Sequence, residues 1–144
     1  MIIKAAFSAL LAVSGVAFLP ASFGAAGETA PTAKVRVVER PAVLRDDGGV
    51  RVIVAATCDA RLQAFEMGVS ITQYQAAGFL LKQAPPAVVQ CDGLRHRQRV
   101  VAYPDEGAFS AGRANVSLYV GFYDPAQDRD LARRDSATVA VVQN

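Results

Sequence analysis

The sequence predicts an all-β fold, a single antiparallel β-sandwich of seven or eight short strands. Apolar and polar residues alternate through most of the chain beyond Val35, which is the period-two signature of strands with one buried face. Turn-forming residues interrupt that alternation at short intervals, at Asp46-Asp47-Gly48-Gly49, Pro85-Pro86, Asp92-Gly93 and Asp105-Glu106-Gly107. Half-polar alternation also excludes a parallel sheet buried on both sides, whose strands read as continuous apolar runs.

The chain opens on a different pattern. Lys4 is followed by an almost unbroken apolar run from Ala5 to Leu19, Pro20 ends it, and Ala21, Ser22, Gly24, Ala25 and Ala26 are small. Residues 1–25 therefore read as a secretion signal peptide, cut near Gly24 or Ala26. Its apolar run is shorter than the roughly 20 residues a spanning helix needs, so no membrane span is expected after its removal. Residues 26–34 read as a flexible leader, because Gly27 to Thr32 is small and polar without periodicity. Residues 35–144 form the expected β-sandwich domain.

Each element of that domain has a local reason. Val35 to Glu39 alternates and is stopped by Pro41. Asp46 to Gly49 is a hairpin turn, since Asp and Gly tolerate positive φ. In Val50–Cys58, Val50, Val52, Val54, Ala56 and Cys58 share one face. Phe65, Met67, Val69 and Ile71 share a face of the next strand, opposite Glu66, Gly68, Ser70 and Thr72. Gly78 to Lys82 reads as a short edge strand, Ala87 to Cys91 as a brief one, and Leu94 to Tyr103 as a longer one ended by Pro104. Alternation resumes from Arg113 to Tyr123, and Thr138 to Val142 closes the domain. Asp124-Pro125-Ala126-Gln127 has the form of an N-cap, a first-position proline and a capping-box Gln. It predicts a short helix over Pro125–Arg134 in the last inter-strand connection, with an extended solvated loop as the alternative.

Charge and cysteines narrow the function classes. The chain has 144 residues with 15 basic and 13 acidic side chains; loss of Lys4 with the signal leaves 14 basic residues and a balance of +1. That is no clustered basic excess, so nucleic acid is not an expected partner. Two cysteines, Cys58 and Cys91, are too few for a structural zinc site. In an exported small domain they read as a disulfide. The expected localisation is secreted, extracellular or in the cell envelope.

Val50 to Cys58 running into a cysteine, Cys91-Asp92-Gly93-Leu94-Arg95-His96, and Gly112-Arg113-Ala114-Asn115-Val116 at the start of the following strand carry a resemblance. The chain resembles small exported bacterial domains of actinobacterial type, of unknown function, with immunoglobulin-like β-sandwiches. In such a sandwich the second and fifth strands are antiparallel neighbours, so a Cys58–Cys91 bridge would close one end of that sheet. The resemblance implies a fold and no activity. The chain departs from antibody-type domains: it has no Trp, and its Gly112–Tyr123 strand has no Cys.

Chemistry-bearing patterns are sparse. There is one histidine, His96, and neither a nucleophile elbow nor a phosphate-binding glycine loop. Asp46-Asp47 and Asp105-Glu106 could supply paired carboxylates for a small hydrolase, but they sit where acids simply form turns. Asp124, Asp128 and Asp130 offer oxygen ligands without calcium-loop spacing, so no metal and no cofactor are expected. Arg95, Arg97 and Arg99 alternate and so leave a strand on the same side; they either grip phosphate or sulfate groups bidentately or form a solvated face that discourages edge pairing. Tyr119 and Tyr123 share a face, free to contact a sugar or a protein, or covered by Pro125–Arg134 through Leu131. The leading expectation is a non-catalytic secreted binding or structural module whose partner is an anionic envelope polymer or a secreted protein. The alternative is a secreted protease or enzyme inhibitor using a rigid loop at Pro85-Pro86 or Tyr103-Pro104-Asp105.

Overall fold

The computed structural model describes residues 29–38, 40–83 and 89–144. Among these the protein is all-β, with nine strands in one mixed hydrogen-bonded sheet and no helix. In chain order they are β1 (Ala33–Val37), β2 (Ala42–Leu44), β3 (Val50–Cys58), β4 (Gln63–Gln73), β5 (Ala76–Gln83), β6 (Arg95–Ala102), β7 (Pro104–Glu106), β8 (Gly112–Asp124) and β9 (Arg129–Gln143).

β3 is flanked by β1 and β6, both antiparallel to it. β4 pairs with β5 and β8, and β8 pairs with β9, again antiparallel. β2 joins the two groups: it continues antiparallel along β3 at Val43–Arg51 and runs parallel to β9 from Ala42–Val141 to Leu44–Gln143. The ladder is therefore mixed rather than purely antiparallel, and it has nine strands rather than seven or eight. β1 also packs against β8 and β9 without pairing with them, and β6 packs against β4 and β5 in the same way. Between these elements lies one apolar core that includes Val50, Val52, Val54, Met67, Val69, Ile71, Val100, Val116, Leu118, Val120 and Phe122. Alternation dictates this core, since every second residue of β3, β6 and β8 points into it.

Sequence and structure part at several places. The expected secretion signal lies outside the described residues, as do Pro85-Pro86 and Ala87, while residues 89–91 are not strand. Ala33 and Lys34, expected in the leader, belong to β1 and pair with Cys58 and Thr57. No helix forms over Pro125–Arg134: β8 turns directly into β9, and the hairpin pairs from Asp124–Arg129 to Gly112–Val141. The reason is local. The Oδ1 of Asp124 accepts the backbone N–H groups of Ala126 and Gln127 at 3.1 and 3.4 Å. A helix N-cap makes similar bonds, but here they close a turn, and Asp128 at φ 46° reverses the chain.

Phe65 does not share the core face with Met67. Ala64 pairs with Phe122 while Glu66 pairs with Gly121, so Phe65 is an extra residue in β4. This β-bulge puts Ala64 into the core and turns Phe65 out of it.

Candidate functional site

The arginine ladder stands on β6 as alternation requires: Arg95, Arg97 and Arg99 are all exposed, and the intervening His96 and Gln98 are half-buried. Register then places it against the rest of its layer. Arg95 lies opposite Thr57, Arg97 opposite Ala55 and Arg99 opposite Ile53. On the other side of β3, Lys34 lies opposite Thr57 and Arg36 opposite Ala55, and both are exposed. Arg51 extends the same face of β3. Two rows of cations thus flank a low floor of Thr57, Ala55 and Ile53. With adjacent strands about 4.8 Å apart, the rows stand roughly 10 Å from each other, and cations within a row repeat every 6–7 Å. A shallow depression runs between Lys34 and Arg36 on one side and Arg95 on the other.

Opposing charge reaches this face at one end, where Arg51 shares a concavity with Asp46 and Asp47. Among the described residues, none of Lys34, Arg36, Arg51, Arg95, Arg97 and Arg99 makes an ion pair or a side-chain hydrogen bond, and no acid occupies their register positions. The acids that do form pairs lie at loops and strand ends. Asp59 binds Arg61 at 2.8 Å, and that hydrogen-bonded guanidinium holds its pKa down to about 2. Asp92 accepts from the N–H of Leu94 and sits 2.8 Å from Nε2 of His96; the backbone bond, then the imidazole, lower its pKa. Asp47 caps the turn at Gly49 and pairs with Arg45. Nearly balanced overall charge therefore conceals a strongly basic layer.

The disulfide fixes one end of this layer. Cys58 ends β3 and Cys91 precedes β6, with their Cα atoms 4.8 Å apart. Gly93 also donates its N–H to the carbonyl of Cys58 at 2.8 Å. The two bonds anchor the loop that leads into Arg95.

The other candidates are placed elsewhere. Tyr119 lies under the guanidinium of Arg134, 5.2 Å from its ring centroid. The hydroxyl of Tyr123 donates to Asp128 at 2.7 Å, and this bond raises its pKa. The segment after Pro125 does border both tyrosines, as a strand, but Leu131 pairs beside Phe122 and packs on the core instead of on them. Asp46-Asp47 and Asp105-Glu106 occupy separate turns and strands, where Asp105 accepts the N–H of Phe79. Tyr103-Pro104-Asp105 is no projecting loop, since Pro104 opens β7. Among the described residues, no three His, Cys, Asp or Glu side chains gather where they could hold a metal.

A second concavity lies at the end of the β8–β9 hairpin, lined by Thr29, Arg61, Asp124, Gln127 and Arg129. Asp124 is fully buried there; its Oδ2 makes no hydrogen bond, and Nε of Arg129 stands 3.9 Å away.

Sequence reasoning found half of the basic face. Lys34, Arg36 and Arg51 were missed because their meeting with β6 depends on the β1–β3–β6 order. The outward parity of Lys34 and Arg36 in the first strand was the available signal. No protein-family model matches the chain, and no curated protein matches it.

Proposed function

We infer that the chain is a non-catalytic, exported binding module of immunoglobulin-like architecture that holds an anionic polymer on its β1–β3–β6 face. The carrying observation is the double row of unpaired cations across an uncharged floor of Thr57, Ala55 and Ile53. An extended polyanion lying along β3 would meet guanidinium or ammonium groups on both sides. Arginine suits this role because its planar fork binds phosphate, sulfate and carboxylate oxygens bidentately.

Strand order supports the architectural part of the reading. β1, β3 and β6 follow the order of the first, second and fifth strands of an immunoglobulin-like sandwich, and β4, β8 and β9 that of its third, sixth and seventh. The disulfide and the signal-like opening sequence support export. Among the described residues no helix is long and apolar enough to cross a membrane.

The test is binding to immobilised polyphosphate, alginate and dextran sulfate at rising salt, with duplex DNA as a further arm. The expected result is capture by at least one of the three polymers, lost towards about 1 M salt, where screening acts over roughly 3 Å. An Arg95/Arg97/Arg99→Ser variant and a Lys34/Arg36→Ser variant should each weaken capture. Absence of capture by all three polymers, or capture unchanged in both variants, overturns the reading. Preference for DNA would replace the proposed partner class.

A further inference from the structure

The opposite face of the molecule, formed by β5, β4, β8 and β9, is built in another way. Register places Leu81, Gly68, Tyr119 and Arg134 in one cross-strand row, and Phe79, Ser70, Ser117 and Ser136 in the next. Phe79 is 54% exposed and Leu81 43%. The Phe79 ring lies over Gly68, so close that a Cβ built there would stand 3.2 Å from the ring. Phe65, turned outward by its bulge, lies over Gly121 in the same way, at 2.8 Å, with the Tyr119 hydroxyl 3.2 Å from that position. Two glycines and one bulge thus let three aromatic rings lie low across the sheet. The bulge seats Ala64 in the core and lays Phe65, half-buried, on Gly121 of the outer face; bulges are over-represented where a side chain is re-aimed beside a functional site.

Beside the rings the surface is polar and flat. Ser117 and Ser136 face each other at 3.2 Å, and the Thr138 hydroxyl donates to Asn115 at 2.9 Å. Glu66 and Arg134 carry opposite charges on this face, so it lacks the one-sided charge of the β1–β3–β6 layer. A ligand matching it needs apolar faces for the rings, hydroxyl edges for Ser, Thr, Asn and Arg134, and no strong charge.

We propose that this face binds a neutral polysaccharide, with a pyranose ring stacked on the exposed Phe79 and its edge reaching Arg134, which covers the Tyr119 ring. The C–H faces of a pyranose supply the apolar contact and its hydroxyls the hydrogen bonds. A second copy of the chain fits less well, because Phe79 and Leu81 are each only about half exposed and the side chains beside the rings are mostly polar, whereas homodimer interfaces have an apolar core. The site is independent of the basic face, so the protein would join an anionic polymer to an uncharged glycan.

Sedimentation with insoluble cellulose, chitin and starch, and dialysis against soluble galactomannan, test this at about 1 M salt, where binding through the basic face is screened. At least one of these glycans should retain the protein. Phe79→Ala, at a position too exposed to govern folding, should weaken retention about tenfold, the loss of one aromatic contact. Arg95/Arg97/Arg99→Ser should retain it fully, which separates this site from the polyanion reading. Failure of all four glycans to retain the protein overturns the proposal, as does retention unchanged by both Phe79→Ala and Arg134→Ser. A concentration-dependent dimer dissolved by Phe79→Ala would overturn it in favour of self-association.

Discussion

The carboxylate of Asp135 on β9 accepts the backbone N–H of Val37 on β1 at 2.8 Å, although 98 residues separate them. Arg133 repeats the device from the same strand, donating Nε to the carbonyl of Ala33 at 3.1 Å. β1 thus spends its outer hydrogen-bonding groups on side chains of the facing layer. Asp135→Ala leaves the part-buried N–H of Val37 without its charged acceptor and should destabilise the fold by about 1–3 kcal/mol in urea unfolding. Because β1 carries Lys34 and Arg36, the same variant should weaken polyanion capture.

Removing the disulfide acts on the unfolded chain. Cys58 and Cys91 are 33 residues apart, and a loop of that size corresponds to about 3–4 kcal/mol in the chain-entropy treatment. Cys58→Ala/Cys91→Ala should lower stability by that order, with little change in the far-ultraviolet dichroism of the remaining folded population. Unfolding with and without reductant checks the same quantity in the native sequence.

Acid sensitivity follows from Asp59. Its pKa falls from 3.8 to about 2 when Arg61 bonds it. A group depressed on folding stabilises the native state above its unfolded pKa, and that contribution is lost as pH falls through the folded one. Stability should therefore drop between about pH 4 and pH 2, and Asp59→Asn should flatten the slope in that window. Urea midpoints measured across the window read the difference directly.

The bulge can be tested through its glycine. Gly121→Ala places a methyl group against the Phe65 ring, so it should destabilise by about 1 kcal/mol or more through overpacking. In a Phe65→Ala background the same change should be neutral or stabilising, since alanine outranks glycine inside a strand by about 0.5–1 kcal/mol. A double-mutant cycle measures this change of sign.

Asp124 separates a turn bond from a buried charge. Asp124→Ala removes the acceptor for Ala126 and Gln127 and should lower stability by about 1–3 kcal/mol. Asp124→Asn keeps an acceptor and removes a charge whose guanidinium partner stands 3.9 Å away; its effect should be smaller than that of Asp124→Ala. Thermal unfolding of the pair distinguishes the two roles.

What the sequence disclosed was local. Val50–Cys58 is legible to the residue because nothing disturbs its alternation, and the arginine ladder is legible for the same reason. The cysteine pair needed only a count and an opening sequence that leads one to expect export. What stayed hidden depended on partners distant in sequence. β2 is three residues long and exists through its neighbours β3 and β9. The bulge at Phe65 is invisible in the alternation because register against β8 decides which residue is extra. At Asp124 the sequence carried a true signal with two meanings, since one carboxylate can cap a helix or close a hairpin.

The parallel pairing of β2 with β9 has a mechanical consequence. Strands that run side by side in the same direction, one near the start of the described chain and one at its end, slide past each other when those ends are pulled apart. The bonds from Ala42–Val141 to Leu44–Gln143 then bear load together rather than one after another. Tension applied between Ala42 and Gln143 therefore meets this short seam in shear rather than unzipping it.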